Sequence, residues 1–253
     1  MNIYLTIGLV VVAYMMIWYG ISLVLKRNDV ADIAWGLGFV AVSWISFFLS
    51  LQTERGLLVA ALVTLWGTRL SYHIFLRNKN KPEDFRYRNW RKSWKSFYLR
   101  SFLQVFMLQG LFLYIISLPI IFIQHHYVVG LKWIDLVGTG TWTIGFLLES
   151  VSDYQLKVFK SKPEHAGRIM TIGLWKYSRH PNYFGEVVQW WGIFLLALPL
   201  SGGWMTIISP LTITYLIRYV SGVPMLERKY AGNEEFEDYK RRTSVFFPLP
   251  PTR

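Results

Sequence analysis

The chain contains no cysteine. Disulfides, thiolate metal sites and cysteine nucleophiles are thereby excluded, and the redox compartment is left open. Acidic side chains are scarce: 15 Asp and Glu stand against 27 Lys and Arg, for a net charge of +12. The neighbouring His125 and His126 have no third ligand near them in sequence, so no metal site is expected. No repeat, low-complexity tract or composition break is visible, and 1–253 reads as a single domain. Charge is missing altogether from "IYLTIGLVVVAYMMIWYGISLVL", a run longer than the roughly 20 residues that cross a bilayer. No basic segment precedes it. Lys26 and Arg27, not a small-residue cleavage site, follow it, which argues against a signal peptide.

Apolar runs near 3–25, 33–51, 56–76, 101–123, 133–150, 185–200 and 203–222 predict an all-α polytopic membrane protein of about seven transmembrane helices. If the N-terminus lies outside, every Lys and Arg except Arg55, Arg69 and Lys132 falls on or next to the inner side, Arg253 in the inner tail among them. Such a bias sets orientation and predicts a cytosolic C-terminus. It also accounts for most of the positive charge and argues against a nucleic-acid partner. The polar segments 77–100, 151–184 and 223–253 then share one membrane face.

Three constellations on that face could carry chemistry. The first is "YSRHPNYFGE", residues 177–186, immediately before an apolar run. Pro181 suits a first helical turn, and Ser178 or Asn182 could cap it. Asn182 and Glu186 then share a helix face, with Arg179, His180 and Tyr183 at its mouth. A helix N-terminus beside Arg and His is suited to an anion, and an acid at the depth of Glu186 is costly unless it faces protein or a polar ligand. Interfacial anchoring explains Arg179 and Tyr183 but not Glu186. The second is "ESVSDYQLKVFKSKPEHAGR", where Asp153, Lys157 and Lys160 share a face; it suits sugar hydroxyls and phosphate, or a solvated juxtamembrane helix. In the third, "WGTRLSYHIFLRNKNKPEDFRYRNWRKSW", Arg69, His73 and Arg77 recur every fourth residue. Arg69 lies about two turns inside the membrane edge and needs a partner, for which Asp32 is the candidate. The basic, Trp-rich stretch after it suits a lipid-binding loop equally well.

"GLWKYSRHPNYFGEVVQWWG", with "SDYQLKVF" before it and "FEDYKRRTSVFFPLP" after it, resembles the steroid 5-alpha-reductase family of membrane reductases. "DIAWGLG" and "EDFRYRNWR" match its bacterial branch. The resemblance runs from about Asp29 to the end. It implies a seven-helix bundle in a bacterial inner membrane that binds NADPH from the cytosolic side, chiefly through 133–253. The implied reaction reduces a carbon–carbon double bond conjugated to a carbonyl in a lipid-soluble substrate. Carried over residue by residue, Asp153, Asn182, Glu186, Arg69 and Tyr239 match cofactor-binding positions, and Arg77, Lys157, Lys160, Arg179, His180 and Tyr183 complete the expected cofactor set. The steroid enzymes have a catalytic Tyr where this chain has Trp66, so the proton donor is expected among Asp32, Tyr72 and His73. Isoprenylcysteine methyltransferases, which bind S-adenosylmethionine, share the "RHP.Y" element and a similar tail. A methyltransferase is therefore the alternative, and a non-catalytic lipid-binding protein the second.

Overall fold

The computed structural model describes residues 2–127 and 130–252, and Arg253 lies outside them. Among the described residues there are helices and connecting turns but no strand. They form two compact units, Met1–Lys132 with Leu196–Ser209, and Trp133–Leu195 with Pro210–Arg253.

The first unit opens with α1 (Ile3–Leu25), whose start is capped by Asn2 Oδ1 accepting from Tyr4 N–H at 2.9 Å. Helices α2 (Val30–Phe48) and α3 (Glu54–Asn78) follow. Their backbones touch where two glycines meet. A Cβ on Gly36 would stand 2.5 Å from the Gly67 carbonyl oxygen, and one on Gly67 would stand 2.5 Å from that of Gly36. Small residues are what permit such approach, since lipid tails supply no hydrophobic drive between helices. Ser71 Oγ donates across the seam to the Ile33 carbonyl at 2.8 Å, and Trp66 packs edge-on against Phe39. Arg55, expected in an outer loop, is buried in the first turn of α3.

Helix α4 (Phe85–Ser93) is short and basic. Helices α5 (Phe97–Arg100) and α6 (Leu108–Ile116) join through a π-helical stretch, Ser101–Met107. Pro119 follows the turn at Ser117 and opens α7 (Leu118–His125). Proline cannot donate to the helical ladder, and Ser209 Oγ donates to the Ile116 carbonyl beside this break at 2.6 Å.

The second unit begins with α8 (Trp133–Ser161). The apolar run at 133–150 and the polar "SDYQLKVFKS" are therefore one continuous helix. A 3-10 turn at Gly173–Lys176 leads into α9 (Pro181–Ala197), with Pro181 in its first turn as its fixed φ favours. Helix α10 (Ile208–Tyr215) passes into a π-helical stretch, Leu216–Val220. The tail carries α11 (Val223–Arg228) and α12 (Glu234–Arg242).

Among the described residues, four helical stretches are long and apolar enough to cross a membrane: Ile3–Leu25, Val30–Phe48, Glu54–Asn78 and Phe97–Ile116. The other three runs anticipated as spans are helical too, in α8, in α9 and in α10 with its neighbouring turns.

Candidate functional site

Glycine also sets the distance between α8 and α9. A Cβ on Gly185 would sit 2.5 Å from Glu149 N and 2.6 Å from the Gly145 carbonyl; one on Gly192 would sit 2.6 Å from Trp142 N. Side chains flanking the seam therefore meet directly. Asn182 Nδ2 donates to Asp153 Oδ1 at 3.0 Å, and Gln189 Nε2 donates to Glu149 Oε2 at 2.6 Å. Glu149, Asp153 and Glu186 are 3%, 9% and 8% exposed. Three carboxylates so buried are expensive unless polar groups face them. Asn182 Oδ1 and Gln189 Oε1 are buried with no hydrogen-bond partner among the described residues, leaving acceptor capacity inside the unit. Lys157 and Lys160, one and two turns beyond Asp153, are exposed. Beside this end of α8 lies an open cleft of about 240 Å³ between Tyr154, Phe159, Lys162, His165, Met170 and Ile172.

The tail straps the start of α9. Arg179 Nε donates to Glu227 Oε1 at 2.8 Å, and Nη1 donates to the carbonyls of Thr243 and Lys240 at 2.7 and 3.2 Å. Arg179 N–H donates to Ser244 O, Ser178 Oγ to Phe246 O, and Leu249 N–H to Tyr177 O. Tyr239 OH donates to Trp175 O and Ser178 O. His180 Nε2 lies 3.0 Å from Glu227 Oε1, and its ring stacks on Tyr183. Burial lowers the His180 pKa against the pull of Glu227, so the imidazole is neutral near pH 7. Burial pushes the Glu227 carboxyl up, but the His180 and Arg179 hydrogen bonds outweigh it and hold the value at about 2. The guanidinium and imidazole expected to face phosphate thus hold the tail against the α9 entrance.

In the first unit, Asp32 receives hydrogen bonds from Tyr87 OH and Arg86 Nη2, each at 2.6 Å. Arg86 also donates to Asp84 at 2.9 Å. Burial and the adjacent Asp32 carboxylate push the Tyr87 phenol well above its usual range, so it remains protonated. Tyr87 is 2% exposed, whereas Tyr72 is 62% exposed on α3. Arg69 and His73 are half-buried on α3, and Arg77 is exposed at its end.

The resemblance put Asp153 and Asn182 in one cofactor set, and the sequence named Asp32 and put Glu149 on the face of Asp153. Gln189, Glu227, Arg86 and Tyr87 were not among the expected site residues. Glu149 and Gln189 each carry a signal, a polar side chain in an apolar run one turn from a named residue. Arg86 and Tyr87 lie in the quoted "EDFRYRNWR", but nothing local points them at Asp32. Glu227 carries no local signal.

A family model described as "Protein of unknown function (DUF1295)" matches residues 18–243. The chain belongs to this family. The DUF1295 protein is 30% identical over 114 residues to 3-oxo-5-alpha-steroid 4-dehydrogenase 1 of Bos taurus, covering 45% of this chain and 41% of that protein. The same enzyme of Rattus norvegicus is 27% identical over 114 residues, with the same shares. An uncharacterized protein of Schizosaccharomyces pombe is 23% identical over 205 residues, covering 70% of this chain and 59% of that one. The matches to the two steroid dehydrogenases span well under half of those relatives' length. No solved structure matches the DUF1295 chain. The resemblance to steroid 5-alpha-reductase-like proteins read from the motifs holds.

Proposed function

We propose that the protein is an NADPH-dependent membrane reductase acting on a carbon–carbon double bond conjugated to a carbonyl in a lipid-soluble, steroid-like or isoprenoid substrate. In this reading the chain crosses the membrane seven times, with the N-terminus outside and the C-terminus in the cytosol. The observation that carries the proposal is the α8–α9 seam, where Asp153 binds Asn182 beside an unpartnered, buried Asn182 Oδ1. An acceptor so placed suits the carboxamide N–H of a nicotinamide, and the carboxylates of Asp153 and Glu186 suit ribose hydroxyls or that same amide. Lys157 and Lys160 supply point charges for phosphate, and the cleft beside Tyr154 and Phe159 has flat apolar walls for an aromatic ring. The donor set thus fits a pyridine dinucleotide. When bound, NADPH supplies the hydride.

The protein's own residues hold and position. Arg179 and His180 act through Glu227, fixing the first turn of α9 so that Asn182 keeps its place. Glu186, one turn further, places a buried carboxyl on the same helix face. The proton donor is proposed among Asp32, Tyr72 and His73. Asp32 accepts from both the Tyr87 hydroxyl and Arg86, so the Tyr87 proton is committed to Asp32 and the two donors fix that carboxylate in place.

A ligand that binds only the folded protein raises its melting temperature. The detergent-solubilised protein is expected to be stabilised by several degrees with NADPH at about a hundred times its dissociation constant and unaffected by S-adenosylmethionine. A shift with S-adenosylmethionine alone would replace the reductase by a methyltransferase. No shift with either would leave a lipid-binding role.

A further inference from the structure

A second cleft lies in the first unit, where α1 ends and the basic segment begins. Its volume is about 150 Å³, and its walls include Ser22, Leu23, Lys26, Arg91, Phe97 and Tyr98. We infer that it is a headgroup site for an anionic phospholipid of the host membrane, independent of the reductase reading. One wall is preorganised. Arg91 donates to Glu83 at 3.0 and 3.1 Å, reaches the Lys26 carbonyl at 3.2 Å, and lies 4.2 Å over the Phe97 ring. Arg27 is likewise tied to Asp29 at 2.6 Å. Lys26, at the end of α1, is exposed and in no ion pair among the described residues.

Charge selects the occupant. Residues 85–100 contain Arg86, Arg88, Arg91, Lys92, Lys95 and Arg100 and no acid. Of these, Arg88, Lys92, Lys95 and Arg100 are exposed, and no carboxylate pairs with them among the described residues. The nearby acids Glu83, Asp84 and Asp29 are already bound to arginines. A cationic cluster at the end of a membrane helix attracts anionic headgroups.

The apolar half of the surface separates a lipid from a soluble anion. Leu23, Val24 and Leu25 on α1, and Tyr98 and Leu99 beside the cleft, are all exposed. A free phosphate leaves that surface unused, whereas a phospholipid lays its chains along it. Trp90 and Trp94, stacked at 5.1 Å, give the segment the aromatic character found at membrane–water boundaries.

The test is native mass spectrometry of the full chain, extracted from vesicles of phosphatidylglycerol and phosphatidylcholine in equal amounts. The wild-type protein is expected to retain phosphatidylglycerol preferentially. One Lys near an anionic surface is worth about a fivefold change, so Lys26→Gln should lower retention about fivefold and Lys26→Glu about thirtyfold. Lys176→Glu, the same charge change in the second unit, should leave retention unchanged. Equal losses in Lys26→Glu and Lys176→Glu would reduce the effect to net charge and overturn the site. So would the absence of any preference, or displacement of the lipid by millimolar inorganic phosphate. Lys26→Gln keeps the test decisive should the charge reversal fail to fold.

Discussion

Replacing Glu227 by glutamine should unlatch the tail from the start of α9. The carboxylate meets Arg179 Nε at 2.8 Å and His180 Nε2 at 3.0 Å, and its pKa is held at about 2 against an ordinary 4.5. That difference corresponds to about 3 kcal/mol at neutral pH. The Glu227 side chain is 18% exposed, and screening brings the expected loss to roughly 2 kcal/mol, or about 4–8 °C in melting temperature. The pH dependence has a definite sign. A depressed carboxyl pKa gives stability that is complete above about pH 4.5 and fades as pH falls toward 2. Wild type should therefore lose about 1–2 kcal/mol of its advantage over Glu227→Gln between pH 7 and pH 3. His180 contributes in the same direction over a neighbouring range. Its lowered pKa gives stability that is complete above about 6.5 and fades as pH falls through the folded value. Repeating the comparison in a His180→Asn background separates the two groups. Melting curves in detergent from pH 7 to pH 3 report the outcome. An unchanged melting temperature in Glu227→Gln at pH 7, or a gap to wild type that stays constant down to pH 3, would refute the latch.

Asp153→Ala and Glu186→Gln should each weaken NADPH binding about tenfold or more while insertion is preserved; calorimetry that finds wild-type affinity in both would remove these assignments. Tyr87→Phe deprives Asp32 of one of its two donors and should cost about 1–3 kcal/mol, measured by thermal unfolding. An unchanged melting temperature would show that this hydroxyl does not hold Asp32. Tyr239→Phe leaves the carbonyls of Trp175 and Ser178 without their donor and should cost about 1–3 kcal/mol, measured by thermal unfolding. Gly185→Leu drives a side chain into the Glu149 backbone and should abolish the folded protein rather than merely slow it; normal yield and melting temperature would show that α8 and α9 do not cross so closely.

Hydropathy and charge are local properties, and what they decide was readable along the chain. The seven apolar runs are helical, the first of them uncharged from Ile3 to Leu25, and Pro181 does open a helix. Spacing alone put Asn182 and Glu186 on one face and the acid Asp153 on the helix end before them. Partner choice was not readable, because it depends on residues far apart in sequence. Asp32 reaches Arg86 and Tyr87, 54 and 55 positions away, through the turn of α4. Arg179 reaches Glu227, 48 positions on, because the tail doubles back over the α9 entrance. The seven-residue spacing of Gly185 and Gly192, and of Gly138 and Gly145, stands in the sequence, yet only the packed helices show that these faces meet. A pattern of small residues says that backbones can touch; tertiary packing decides which ones do, and with them which carboxylates end up buried together.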